Sequence, residues 1–583
     1  MSTPNVSMSF LQGGLAIVTP GPGGAQAKIG PALLGFSQTT VAPQVLSVGP
    51  GQAANILGGG PLADATSQVT DTAGTPVYAV PLAATGGTVT ATFTQAGSGA
   101  GVVSATCAPH VTVLCKCSTL GTLGTAKFQF SVNGAAYGQP VTSTASALVY
   151  QVPGTFLSLS FAASTYAANN TWGWYADGTA ATPGGTTPPA VTPTSSPLDA
   201  YQVRVTITTA GARGTAQFVY SLDGGASQST PIVTAATYAI PSSGIVLAFT
   251  SDAYVLNDVY SGYCTAPMCT AADIVLAHAA LRASAFQIEG VHVVGFPYAT
   301  TISATTAGTA FTAADSAMTS AKLVKRCLWA AIECPTVGTP ILFSSAQALD
   351  TADTDATIAT AFLALASTEG RVLVGAGDCA LLSPLTGLTL RRNCAWVATA
   401  TAAAEKLSED LGKVMRGAVL NVQSIYRDEE ATPGLFDARF ITMRSLYGKA
   451  GYFLTGGVTM AQVASDYSAF SNVRVVNRAA TIAMAAFTDY LNDDVRIDPK
   501  TGYIDDRDAR DIDNAVTAKL HAALKGTPGS VTDEVSDVYA KLSRTDNLLS
   551  VATATAVVSI VPKAIMRNIS VQIGFINPLL QQA

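Results

Sequence analysis

Apolar positions along this chain switch between period two and period three or four, and each switch predicts an element. The first 25 residues hold a short alternation (Met8, Phe10, Leu15, Ile17) that ends in Pro20-Gly21-Pro22-Gly23-Gly24, which cannot sustain regular structure. An α/β pattern follows, with a buried strand over 32–36, short helices over 51–57 and 62–69, and a strand over 77–80. From about 86 to 265 the period is two throughout, punctuated by the hairpin dipeptides Asn133-Gly134 and Asp223-Gly224. Helical spacing returns over 273–286, 313–328 and 354–366, alternating with strands over 291–296, 341–343 and 371–374. Continuous apolar strands between helices imply a parallel or mixed sheet covered on both faces. Beyond 420 the spacing predicts strands over 439–455 and helices over 476–491, 506–524 and 533–544. A last strand over 569–575 carries Ile569, Val571, Ile573 and Phe575 on one face.

Within the period-two region the sequence repeats itself. Residues 124–134, GTAKFQFSVNG, are echoed by 214–224, GTAQFVYSLDG. Further along, Val152-Pro153 answers Ile240-Pro241, Tyr166 answers Tyr254, and Asn169-Asn170 answers Asn257-Asp258. The stretch between the copies is rich in Pro, Thr and Gly and reads as a semi-stiff linker.

The expected organisation is therefore α/β and α+β multidomain. A mixed-sheet α/β core (26–85 and 266–420) is interrupted by two tandem all-β modules, sandwich- or barrel-like, at 86–178 and 199–265. A linker (179–198) joins the modules. An α+β domain (421–567) follows, and arms occupy 1–25 and 568–583. The modules are expected to project outward as a decoration.

Composition changes this picture in one respect. Charged residues make up 12% of the chain, about half of the roughly 25% usual for soluble proteins. Few charges leave little to keep copies apart, so a self-associating protein is expected. A net charge of −6 argues against nucleic acid as a partner. The N-terminal run lacks a basic leader segment, and no uncharged apolar run reaches the ~20 residues of a bilayer span. Neither secretion nor membrane insertion is expected.

Candidate chemistry is thin. Cys107, His110, Cys115 and Cys117 resemble a loose zinc cluster, but the repeat sets Cys115 and Cys117 against Val205 and Ile207. Those are apolar strand positions, so both thiols are expected in a module core. Cys107, Cys264 and Cys269 are the candidates for disulfides between subunits, should the protein meet an oxidising environment. Gly375-Ala376-Gly377-Asp378 lacks the third glycine of a dinucleotide loop and reads as a turn. Asp498, Gly502 and Asp505 faintly suggest calcium, but Lys500 stands where an oxygen ligand is needed. Arg391-Arg392 suits an anion or, better, charged contacts within the fold. No catalytic, cofactor or metal site is expected.

Several segments together resemble the tail sheath proteins of contractile bacteriophages: 29–36 (IGPALLGF), 43–48 (PQVLSV), 58–65 (GGGPLADA) and 74–80 (GTPVYAV). Residues 293–297 (VVGFP), 331–335 (AIECP), 391–396 (RRNCAW), 452–457 (YFLTGG) and 477–479 (NRA) extend the likeness to about two-thirds of the chain, the β modules lying outside it. The resemblance implies a structural protein of the virion, assembled in the host cytoplasm as stacked six-fold rings around an inner tail tube. A baseplate and a tail terminator would bound the array, and contraction would drive the tube through the bacterial envelope. It further implies strand exchange between subunits through the arms, by Phe10, Leu15, Ile17, Ile569, Val571, Ile573 and Phe575. Residues 506–525 and 533–544 are the candidates to face the tube. The competing expectation, a secreted adhesin or surface-layer protein with tandem β modules, requires a leader peptide and little α/β core.

Overall fold

The computed structural model describes residues 22–36, 43–83, 87–142, 149–152, 154–295, 304–334, 367 and 370–567. The expected strand 341–343, the helix 354–366 and both arm strands lie outside these residues. The chain divides into two units, Met1–Thr481 and Ile482–Ala583.

In the larger unit, β1 (Gln26–Phe36) and β2 (Leu46–Val48) precede helices α1 (Ala53–Leu57) and α2 (Pro61–Ala73), then β3 (Val77–Leu82). Pro61 opens α2 and Gly74 closes it in the left-handed conformation (φ 64°), where a residue without Cβ carries no strain. The insert begins with β4 (Thr94–Ala96) and β5 (Val103–Cys107), and later contributes β6 (Ala180–Gly184) and β7 (Val191–Ser195). The body resumes with α3 (Ala271–Ala283), whose start is fixed by a capping box between Thr270 and Asp273. Then come β8 (Gly290–Val293), α4 (Ala304–Leu323), β9 (Trp329–Glu333) and β10 (Val372–Gly375). Helix α4 begins nine residues earlier than its spacing predicts, because Ala and Thr carry little periodic signal.

These strands form one sheet in the order β2-β3-β1-β8-β9-β10, parallel except for β2. Alternation assigns the side chains to two cores. Ala27, Ile29, Val80, Val291, Val293, Ile332 and Val374 meet α3 and α4. On the other face, Ala32, Ala79, Trp329, Ala331 and Leu373 meet α1, α2 and α5 (Cys394–Ala404). Both faces are covered, as near-continuous apolar strands require.

The two copies in the insert match closely. Val113–Thr119, Lys127–Val132, Leu157–Phe161 and Thr171–Trp174 correspond to Gln202–Thr209, Gln217–Ser221, Ile245–Phe249 and Val259–Tyr263. Tyr166 Oη donates to the Ala162 carbonyl, and Tyr254 Oη donates to the Thr250 carbonyl at the same offset of 88. Phe128 packs 4.3 Å from Phe161, and Phe218 packs 4.7 Å from Phe249.

The expected linker over 179–198 is a correction: it supplies β6 and β7, which complete the first copy. Strand β6 pairs with Thr171–Trp174, and β7 pairs with Leu157–Phe161. Both are sheet edges, where a proline such as Pro183 or Pro193 removes no internal ladder bond. The second copy is completed from upstream, by β4 against Val259–Tyr263 and β5 against Ile245–Phe249. The chain therefore runs pair, copy, pair, copy, and the first module sits inside the second. Entry and exit lie side by side: Val89 bridges Cys264, Thr88 bonds Thr265, and Thr90 N donates to the Tyr263 carbonyl.

The insert is also docked on the body. Leu390, at the start of the strand that leads into α5, is part of the second module's core, and Phe156 of the first packs with Leu33.

In the smaller unit, α7 (Asp506–Leu524) covers a hairpin of β14 (Val535–Leu542) and β15 (Ala556–Pro562). (Strands β11, β12 and β13 of the larger unit are Asp378–Leu382, Thr389–Asn393 and Val422–Ile425, and α6 is Phe470–Thr488.) The helix expected over 533–544 is a second correction. Val538, Ala540 and Leu542 are buried while Asp537, Tyr539 and Lys541 face outward, which is the period of a strand.

Candidate assembly edge

Helix α7 begins at Asp505, whose side chain accepts from Arg507 N, and presents Ala509, Ile512, Val516, Leu520 and Leu524 inward. Against that stripe lie Val535, Val538, Ala540 and Leu542 of β14. Antiparallel pairing places Ile560 opposite Val538 and Val558 opposite Ala540. Strand β15 lies one strand further out, and none of its seven residues is fully buried. Val557 is 60% exposed and Val561 48%. Among the described residues β15 has no partner on its outer side, so a row of backbone N–H and C=O groups faces outward. The strand carries no charge and is rich in Val and Ile, and its only proline is its last residue, Pro562. Such an edge lacks the usual protections against pairing with another chain.

The sequence reading missed β15, although the run AVVSIVP is a sufficient β-branched signal. The seven expected exchange residues (Phe10, Leu15, Ile17, Ile569, Val571, Ile573, Phe575) lie outside the described residues. The root of the N-terminal arm is described. Gly23 N donates to the Ala403 carbonyl at the end of α5, and a Cβ on Gly23 would meet the Ala402 oxygen at 1.7 Å. Arg474 reaches the same place, donating to the carbonyls of Ala402, Glu405 and Lys406.

The other candidates resolve into structure. Cys115 and Cys117 lie in the first module's core with Phe128, Tyr166 and Trp172, where the repeat had put them. Cys264 and Cys269 are buried, and burial pushes the Cys269 thiol up to about 12 and the partly exposed Cys107 thiol up to about 11. In this fold Cys264 and Cys269 are closed to another subunit. Among the described residues no group of three or more His, Cys, Asp or Glu could hold a metal ion, and no helix is long and apolar enough to cross a membrane. Residues 498–505 close a tight turn, with Gly502 N donating to the Asp498 carbonyl. Gly375 to Asp378 is the turn from β10 into β11.

The two arginines, adjacent on β12, point to opposite faces of the strand. Arg391 Nε donates to Asp378 Oδ2 at 2.7 Å and its guanidinium lies over Tyr426. Arg392 donates to Asp64 at 2.6 Å and to both oxygens of Asp199 at 2.8 and 2.6 Å, and stacks on Trp396. Burial works against the Arg392 charge, but Asp199 and Asp64 outweigh it and hold the guanidinium charged. Since Asp199 joins the two modules and Asp64 belongs to α2, this cluster fastens the insert to the body.

No protein-family model and no curated protein matches the chain. Among solved structures it matches the sheath tail protein from Desulfitobacterium hafniense, over 96% of this chain and 100% of that one, with 10% identity and a TM-score of 0.37. It also matches a chain of the anti-feeding prophage baseplate, over 54% of this chain and 76% of that one, with 9% identity and a TM-score of 0.34. At these scores neither likeness carries an argument about function.

Proposed function

We propose that this chain is the structural subunit of a contractile tail sheath, polymerising as six-fold rings around an inner tube. The observation that carries the reading is the β15 edge, unpaired among the described residues. An uncharged seven-residue strand, backed by α7 through β14, suits the addition of a strand from another copy. Residues 569–575, with Ile569, Val571, Ile573 and Phe575 alternating, have the pattern such an edge accepts, and so does the run of Leu15 and Ile17. The low charge of the chain and the segments that resemble sheath proteins point the same way. Contraction would then be a relaxation of strained subunit contacts, with the inserted strands keeping the lattice connected. The charged outer face of α7, including Arg507, Arg510 and Asp511, is the candidate to meet the tube. Baseplate and terminator proteins would cap the array.

The edge gives a direct test. Val557→Lys with Val561→Lys places two charges on exposed positions of β15 and should leave the monomer folded. Negative-stain microscopy should show rings or striated tubes for the parent and dispersed subunits for the double variant. Normal tubes from the variant would refute strand addition at this edge, and dispersed parent under assembly conditions would refute the sheath.

A further inference from the structure

Three adjacent parallel strands each place one ionisable group in the same buried spot, a costly arrangement unless the groups serve one another. Lys28 of β1 and His292 of β8 are opposite in register, and both are fully buried. Lys28 Nζ lies 2.7 Å from His292 Nδ1 and donates to Thr399 Oγ1 on α5, also at 2.7 Å. The Thr399 hydroxyl donates in turn to the Ala395 carbonyl. On its other side, His292 Nε2 lies 3.4 Å from Glu333 Oε1 at the end of β9. That oxygen accepts from Gly295 N and from Trp396 Nε1 on α5, each at 2.8 Å. The relay thus ties the middle of the sheet to α5 at two points, Thr399 and Trp396.

The surroundings leave few other charges to answer these. Across β1 the register partner of Lys28 on β3 is Ala79. Asp64 on α2 is engaged by Arg392 and Ser383. Asp378 on β11, beyond Glu333, is paired with Arg391. Arg474 on α6 donates to the carbonyls at the far end of α5.

We propose that Lys28, His292 and Glu333 form an acid-sensitive clamp between the sheet and α5, with His292 as the switching group. The relay works through one lone pair. While the imidazole is neutral, Nδ1 accepts from Lys28 and Nε2–H faces Glu333. A proton on Nδ1 removes that acceptor and sets two cations in contact.

The surroundings favour the neutral ring. Burial, and then Lys28, lowers His292 to about 4, and burial lowers Lys28 to about 7. Glu333 stays below its usual range despite burial, through His292, Gly295 and Trp396. Two bases with depressed values bind protons more tightly in the unfolded chain, so stability rises with pH and is lost as pH falls. The Lys28 share is lost from 10.5 down to about 7, and the His292 share from 6.5 down to about 4. The depressed Glu333 is lost in the same direction, as pH falls.

His292→Gln tests the clamp, since an amide can accept from Lys28 and donate toward Glu333 without titrating. In urea unfolding of the full chain, followed by tryptophan fluorescence, the parent's unfolding constant should rise by up to about tenfold per pH unit more than the variant's between pH 6.5 and 4. Equal pH dependence in both would overturn the proposal. Lys28→Met supplies a second reading if the glutamine variant fails to fold. It should flatten the slope between pH 7 and 10, and an unchanged slope would equally overturn the clamp.

Discussion

The two β modules build cores of the same pattern and close them differently. In the first, β6 and β7 follow the copy they complete, so residues 111–196 form a closed stretch of chain. In the second, β4 and β5 come from before the first module begins. Similar local sequence thus gives the same strands and the same Tyr–carbonyl bond in each copy. Closure depends on pairings that no local signal encodes.

The largest consequence of that difference concerns independence. A fragment spanning 110–197 should unfold cooperatively on its own. A fragment spanning 198–265 should stay unfolded, because two strands and the side chains of Phe93, Val103 and Ala105 are missing from its core. Extending the second fragment to 87–265 should restore it. Thermal melts followed by circular dichroism read all three, and cooperative folding of 198–265 alone would break the distinction.

A smaller effect separates the two strand pairs. Asp258 is buried and accepts from Ser98 N at 3.1 Å, Gly99 N at 2.9 Å and Gln95 at 3.2 Å, which holds the turn between β4 and β5. Its counterpart Asn170 is fully buried beside Gly185, and its side-chain amide has no hydrogen-bond partner among the described residues. Bonds to a charged group are worth about 1.5–3 kcal/mol. In urea unfolding of the 87–265 fragment, Asp258→Ala should cost about 2 kcal/mol or more and Asn170→Ala less than about 1 kcal/mol. Equal losses would mean that the asymmetry between the copies has no energetic content.

The smallest effect tests the shared core. Cys115→Val installs the second copy's residue at a position that faces Trp172, where the second copy has Tyr260. One added heavy atom in a closed core should cost about 1 kcal/mol, the low end for overpacking. A larger loss in the same unfolding assay would show that the cores differ more than their registers suggest.

Legibility in the sequence follows the range of the interactions. The body sheet was readable because buried parallel strands such as 372–374 are apolar without break and 291–294 is interrupted only by His292. The repeat was readable because Asn133-Gly134 and Asp223-Gly224 fix hairpins locally. The role of 180–195 was not, since Pro183 and Pro193 look the same in an edge strand as in a loop. Residues 533–544 were misread because their charges are spaced ambiguously, and only packing against α7 decides the period. At the candidate assembly edge, the arm strands are expected from sequence while β15 is not. Its β-branched run is a strand signal, but it is apolar on both faces and carries no alternation to anchor it.

The antiparallel meeting of residues 88–90 with 263–265 has a use beyond this chain. Because the insert leaves and returns at adjacent points, the body's chain path makes no demand on what lies between; only its docking contacts at Leu33, Leu390 and Arg392 do. The site behaves as a socket: a closed module with neighbouring termini should graft there without disturbing the sheet, provided it covers Leu33 and Leu390 and brings an acid to replace Asp199 beside Arg392. If the body does build a sheath, that socket would let a long array display foreign domains, one on every subunit.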